Sequence, residues 1–272
     1  MDRPFVDFVR WTFLGATMRE FFEGLSDQIF KLLSVDELLI CNFYGEDSHF
    51  CRFNHGLVRQ VGEVLDQNLS LRLVNGQRHV VGTLSLSGVL SHDVQESQSL
   101  LQNLRSRIAT VPDDPYLLLP EIIASTARTD DSKLTSAADI VAEISRIATK
   151  NKFDLVGFFA QGGIHYGHAS SIGQRNWYSS FPFNFDWSLY LSGQKAVKQS
   201  YAGFEWNFDT FLEILERARP QLEILEQNPI KIPPGSYPTY LAPAAISEIC
   251  RMIQGGFSEK DLRTKSSPLV RL

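Results

Sequence analysis

The sequence predicts an α+β fold: two helix-plus-antiparallel-sheet units followed by the opening of a C-terminal β-rich domain. Three observations predict it. Apolar spacing switches from helical to alternating and back twice, so the order helix, sheet, helix occurs two times along the 272 residues, without a residue-level repeat. Hairpin-type turn signals punctuate the alternating stretches, the strongest being Asn75-Gly76. Two proline-bearing stretches, Pro112-Asp113-Asp114-Pro115 and Ile232-Pro233-Pro234-Gly235, separate the pieces. The expected organisation is an N-terminal α+β domain over 1–111, a linker over 112–134, a central α+β region over 135–228 and the start of a C-terminal domain over 229–272.

Taken in order, Phe21, Phe22, Leu25, Ile29, Leu32 and Leu33 recur at helical spacing, so the first segment is helical to about Ser34. From Glu37 the period is two. Strands are expected at 38–44 and 49–55 around a turn at Gly45-Glu46-Asp47-Ser48, with a second turn at Asn54-His55-Gly56. Strands at 57–65, 68–74 and 79–86 complete a meander of about five. Residues 92–110 return to helical spacing, with Val94, Leu101, Leu104 and Ile108 on one face, and the prolines from Pro112 stop them. Ser136 with Asp139 caps the next helix, whose stripe is Ile140, Val141, Ile144, Ile147 and Ala148. Strands follow at 153–161 and 164–170 around a Gly162-Gly163 turn, then at 174–191 with a bend near Pro182, then at 195–203. Phe208, Phe211, Leu212 and Leu215 begin a helix that Pro220 kinks or ends. A strand at 237–241 precedes a helix that opens on Pro243, carries Ile246, Ile249, Cys250 and Ile253, and ends at Gly255-Gly256.

Composition narrows the function classes. The balance of 26 basic against 31 acidic residues, a net charge of −5, argues against a general binder of nucleic acid or anionic membrane, because either needs a basic face. A chain this long buries enough apolar surface to fold without disulfide or metal staples. Cys41, Cys51 and Cys250 are an odd, scattered set, which reads as reduced thiols rather than a disulfide framework or a cysteine zinc site. No stretch is long and apolar enough to span a bilayer, and Asp7 and Arg10 interrupt the first apolar residues, so the expectation is a cytoplasmic, soluble chain with no membrane partner.

Few residues point to chemistry. His165 and His168 lie three apart on a strand and face opposite sides, which argues against a shared metal and leaves them as satisfied or exposed histidines. Asn54-His55-Gly56 is a turn, or an interaction surface with Arg52, Arg59 and His79 nearby. Phe181, Phe183, Phe185 and Trp187 share one face of a strand, which is a core face or a platform for a peptide or partner subunit. The candidate interaction surface therefore comprises Arg52, Asn54, His55, Arg59, Trp177, Phe183, Phe185 and Trp187. Phosphate-binding glycine loops, a Gly-x-Ser-x-Gly elbow and His-Glu-x-x-His are absent, and no histidine follows His168, so no catalytic residue, metal ligand or cofactor is assigned to this chain.

Several stretches, in order, resemble the TldD/PmbA family, once labelled modulators of DNA gyrase. They are residues 50–60 (Phe-Cys-Arg-Phe-Asn-His-Gly-Leu-Val-Arg-Gln), Leu104-Arg105 with Pro112-Asp113-Asp114-Pro115-Tyr116, Gly173-Gln174-Arg175-Asn176-Trp177, residues 183–190, Lys195-Ala196-Val197-Lys198, Tyr201-Ala202-Gly203-Phe204 and Pro234-Gly235-Ser236-Tyr237-Pro238. The resemblance covers nearly the whole chain. It implies a two-subunit zinc metalloprotease acting on unfolded peptides, in which a TldD-type subunit carries a His-Glu-x-x-x-His helix and a TldE (PmbA)-type subunit lacks those ligands. In this sequence an ungapped register puts Arg251, Met252 and Gly256 at those positions, which implies the TldE-like role, with zinc in a TldD-type partner. It also implies further sequence beyond the opening of the C-terminal domain. The alternatives are a stand-alone peptide-binding or scaffold protein, a self-associating metallopeptidase using residues outside this chain, and, third, contact with DNA or gyrase, which the acidic balance disfavours.

Overall fold

The computed structural model describes residues 17–130, 134–191, 195–257, 259–267 and 269. The chain divides into two compact units, one ending at Asn228 and one beginning at Pro229. The predicted start of the first helix and the Met1–Trp11 segment lie largely outside the described residues.

Helix α1 (Met18–Phe30) starts at a reciprocal cap. The Glu20 backbone N–H donates to the Thr17 hydroxyl, and the Thr17 backbone N–H donates to the Glu20 carboxylate at 2.7 Å. Three long strands follow: β1 (Leu38–Asn54), β2 (Leu57–Asn75) and β3 (Arg78–Ser85). They replace the five short strands expected. The predicted turn at 45–48 is mid-strand, because β1 is paired along both edges, with β2 and with the later strand β5 (Asp154–Ser170). Its polar side chains are satisfied within the sheet. Tyr44 and Ser48 both donate to Glu46, and the Gly163 N–H donates to Asp47 Oδ1 at 2.8 Å.

Helix α2 (Leu90–Ile108) is anchored by Asp93, which is buried and accepts from the backbone N–H groups of Ser87 and Gly88. Arg105 on α2 donates both to Glu37 and to the Leu32 carbonyl, which ties the helix to the α1–β1 loop. Within the expected linker, β4 (Thr126–Thr129) joins the sheet, pairing parallel with β6 (Arg175–Ser180). Helix α3 (Ala137–Lys150) has Ser136 as its N-cap, accepting from the Asp139 N–H. The predicted Gly162-Gly163 turn lies inside β5. There β5 changes neighbours on one edge, from β7 (Phe183–Tyr190) along 154–161 to β6 along 164–169, and the Phe181-Pro182 break separates those two strands. A side chain at Gly162 would overlap the Asp47 carbonyl and the Ser48 backbone. Strand β8 (Ala196–Gly203) pairs with β7, and helices α4 (Phe208–Glu216) and α5 (Arg219–Glu226) follow, with Pro220 at the start of α5.

Among the described residues the sheet is therefore single, eight-stranded and mixed, in the order β3-β2-β1-β5-β6-β4 with β7 and β8 continuing from β5. The two helix-plus-sheet units expected from the sequence share it through the β1–β5 ladder. Strand alternation decides what covers each face. Odd-numbered residues of β1 and β5 feed both cores: Leu39, Cys41 and Phe43 pack with α1 and α2, while Phe53, Leu155 and Phe159 pack with α3 and α4. Among the described residues the helices of the first unit lie on that one face. Even-numbered residues form the other, which carries Tyr44, Tyr166 and Tyr178 in one cross-strand row, with ring centroids 5.5 and 6.5 Å apart.

The second unit begins with an extended stretch. The strand expected at 237–241 does not form: no ladder partner pairs with it, and Tyr237 folds back so that its hydroxyl donates to the Pro233 carbonyl. Helix α6 (Pro243–Ile253) starts on Pro243 and runs into a short 3-10 turn, Gln254–Gly256, followed by α7 (Glu259–Arg263). No described helix is long and apolar enough to cross a membrane.

Candidate functional site

The β1–β2 hairpin turns at Asn54-His55-Gly56. The residues with positive φ are His55 (51°) and Gly56 (71°), not Asn54. The tip is docked onto the sheet: His55 Nδ1 lies 2.8 Å from Asp154 Oδ1, and the Gly56 N–H donates to the Leu155 carbonyl at 2.8 Å. A side chain at Gly56 would meet Ala148 of α3 at 2.7 Å. His55 is thus a latch that holds the tip against β5.

Behind the tip an open depression lies on the outer face of the sheet. A cavity of about 460 Å³ is walled by Arg52, Asn54, Arg59, Val156, Phe158, Asp186, Ser188 and Lys198, with Phe53, Gly157 and Trp187 contributing to its floor. Register explains the convergence. Arg52 pairs across the hairpin with Gln60, and Phe53 with Val58, so Arg59 is the extra residue of a β-bulge and stands beside Gln60 opposite Arg52. Arg52, Phe158 and Asp186 then occupy one cross-strand row, and Val156, Ser188 and Lys198 the next. The Arg52 guanidinium sits 5.9 Å from the Phe50 ring centroid and 5.8 Å from that of Phe158. Among the described residues, Asp186 is the only carboxylate lining the cavity, and it accepts from Asn184. Three cations around one carboxylate, beside apolar Val156 and Phe158, make this a place for an organic anion.

The structure brings Arg52, Asn54 and Arg59 together, with His55 adjoining, but not His79, which lies on β3 opposite Val74 with Nε2 3.0 Å from Asp114. It does not add the aromatic residues as a platform. Trp177 belongs to the core under α1 and α2, and Phe183, Phe185 and Trp187 to the core under α3 and α4, where Phe185 and Trp187 stack at 4.6 Å. Their alternation marks the buried face, and the helices cover it. Sequence reasoning missed Val156, Phe158, Asp186, Ser188 and Lys198. Each is an unremarkable strand residue until three ladders align it with Arg52.

A second polar cluster lies on the buried face. The Trp177 indole N–H donates to Ser179 Oγ at 2.7 Å, and His165 Nδ1 lies 2.9 Å from the same oxygen. The other ring nitrogen, Nε2, faces Asp47 Oδ1 at 3.6 Å. Serine, histidine and aspartate align, but Ser179 is buried and bonded on both sides, which leaves no free nucleophile. The chain ties β1, β5 and β6 together. His168, three residues on, faces the outer side and contacts Asn42 at 2.8 Å, so the two imidazoles diverge as their spacing predicts.

Burial pushes the Cys41 and Cys51 thiols up to about 12 and 11, which keeps them protonated and unreactive, while Cys250 is exposed. On α6, Arg251 pairs with Glu248 at 3.6 Å and Met252 is exposed. A guanidinium, a thioether and Gly256 are not a zinc donor set. No group of three histidine, cysteine or acidic residues among those described is placed to hold a metal ion.

Among the described residues, the unit ending at Asn228 is thus an α+β fold with a single mixed sheet, its helices on one face and a basic cavity on the other. The fold is similar to that of a Thermotoga maritima protein described as a candidate modulator of a DNA gyrase, with TM-score 0.66, 14% identity, and coverage of 91% of this chain and 58% of that one. TldE from Thermococcus kodakarensis is similar too, with TM-score 0.53, 13% identity, and coverage of 76% of this chain and 47% of that one. The chain thus spans about half the length of these structures. Neither a protein-family model nor a curated protein matches the sequence.

Proposed function

We propose that the chain is a TldD/PmbA-family protein of the TldE type, a non-catalytic subunit of a zinc metalloprotease that acts on unfolded peptides. The observation that carries the reading is the fold likeness over nine-tenths of the chain to a protein described as a gyrase modulator, with TldE a second likeness. Donor chemistry supports the subunit role. Arg251, Met252 and Gly256 stand where the resemblance requires two imidazoles and a carboxylate, so zinc-dependent polarisation of a peptide carbonyl falls to a TldD-type partner. This chain supplies surface: a broad sheet with one uncovered face and a cavity that accepts an anion. Proteolysis, hetero-oligomer formation and a cytoplasmic location belong to this same proposal.

The test is affinity capture from the source cells with the tagged chain and with a version extended to the length of its structural relatives, followed by mass spectrometry. Recovery of a chain bearing His-Glu-x-x-x-His is expected. If folded baits of both lengths bring down no such chain, the subunit reading is wrong.

A further inference from the structure

We propose that the outer-face cavity behind the β1–β2 hairpin binds the C-terminal carboxylate of an extended peptide, with the peptide's last side chain lying on Val156 and Phe158. The proposal rests on the peptide-handling half of the function above and not on the partnership.

Charge is the first argument. Most arginines elsewhere in this acidic chain are tied to carboxylates, as in Arg105–Glu37 and Arg175–Asp27. Arg52, Arg59 and Lys198 form no ion pair with any described carboxylate, yet they line one cavity. Like charges gathered across neighbouring strands are unfavourable, and an anion between them removes the penalty. Asp186 offsets one charge of the three, which leaves room for a monoanion or a dianion.

Geometry is the second. The bulge at Arg59 places two guanidinium groups on one side of the hairpin. Arg52 lies within reach of the Phe50 and Phe158 rings, which places its guanidinium at the apolar wall of the cavity. The latch between His55 and Asp154 fixes the strand ends that carry these groups. Arginine clusters recognise acidic groups, and a guanidinium fork matches the two oxygens of a carboxylate.

The wall chemistry selects the ligand. Val156 and Phe158 are more than one-third exposed beside the cations. A bare inorganic anion gains nothing from that apolar surface, whereas a peptide ending in an apolar residue buries its side chain there. A volume of about 460 Å³ suits the last one or two residues of a chain.

Fluorescence polarisation with the 272-residue protein tests this. The probe is labelled Ala-Ser-Ala-Ser-Ala-Leu, with a free carboxylate, with an amidated end, and amidated with glutamate replacing the fourth residue. The free acid is expected to bind about tenfold tighter than either amide, the scale of a charge-assisted pair. Arg59→Gln and Lys198→Gln should each weaken the acid several-fold without changing the amides; both side chains are exposed, and unchanged melting curves confirm the fold. Equal binding of acid and amide, an amidated glutamate peptide as tight as the acid, variants without effect, or inorganic phosphate competing as well as N-acetyl-leucine would each overturn the proposal. Partner capture by the same variants separates the two readings. A partner recovered with no acid preference removes the carboxylate site alone, and an acid preference without a partner removes the subunit role alone.

Discussion

Three positions apart on β5, His165 and His168 occupy opposite faces, and the difference has a consequence for pH. Burial holds the His168 imidazole below its ordinary value of 6.5. The unfolded chain therefore binds this proton more readily than the folded one. The associated stability is fully present above about pH 6.5 and falls as the pH drops from there toward the lower folded value, below which no further loss occurs. Urea denaturation between about pH 7 and 5 should show a smaller acid loss for His168→Asn than for the parent. Coincident pH dependences would show that His168 does not titrate this way. The divergence of the two histidines was legible in the sequence, because strand alternation alone sets it. The Trp177–Ser179–His165 chain was not, since it joins residues of two strands whose register no local pattern specifies.

For single elements, helices and tight hairpins followed their local signals. The Ser136 cap, Pro243 at the head of α6, the Asn75-Gly76 turn and the bend at Pro182 all sit where sequence chemistry puts them. Strand lengths did not follow. Gly45-Glu46-Asp47-Ser48 and Gly162-Gly163 look like turns because glycine and polar residues interrupt an apolar alternation. In the structure these segments face each other in the β1–β5 ladder, where Gly162 lets the two backbones approach and Asp47 accepts from Gly163. Gly162→Ala should lose about 1–3 kcal/mol or more in urea melts, because the new methyl meets backbone that cannot move aside. Gly24→Ala, in the middle of α1 with open space around its Cβ position, should gain up to about 1 kcal/mol. A tolerated Gly162→Ala would mean that the glycine pair is a flexible joint after all.

Across the whole molecule, the sheet is the organising element, and the candidate site exists only because of it. Arg52 and Arg59 come from the hairpin, Val156 and Phe158 from β5, Asp186 from β7 and Lys198 from β8. The chain's division after Asn228 also has a measurable consequence. Residues 229–242 are exposed and, among the described residues, without ladder partners. Thermolysin at low ratio should cut first within this stretch, at apolar residues such as Ile230, Ile232 and Leu241, and leave a fragment ending near Asn228 with the far-ultraviolet spectrum of the sheet. First cuts inside 112–130 would instead make that stretch the weakest join, as its prolines suggest by sequence alone.

The sequence by itself determined the class of the fold, the main helices, the faces of the strands and the places of the hairpin turns. Those properties depend on residues a few positions apart, through propensity, capping and alternation. Only the tertiary structure decided that the two helix-plus-sheet units share one sheet, that the aromatic face is core, and that three unpaired cations meet in one cavity. Ladder register brings together residues more than 100 positions apart, such as Arg52 and Phe158, and it is set by the packing of both cores at once.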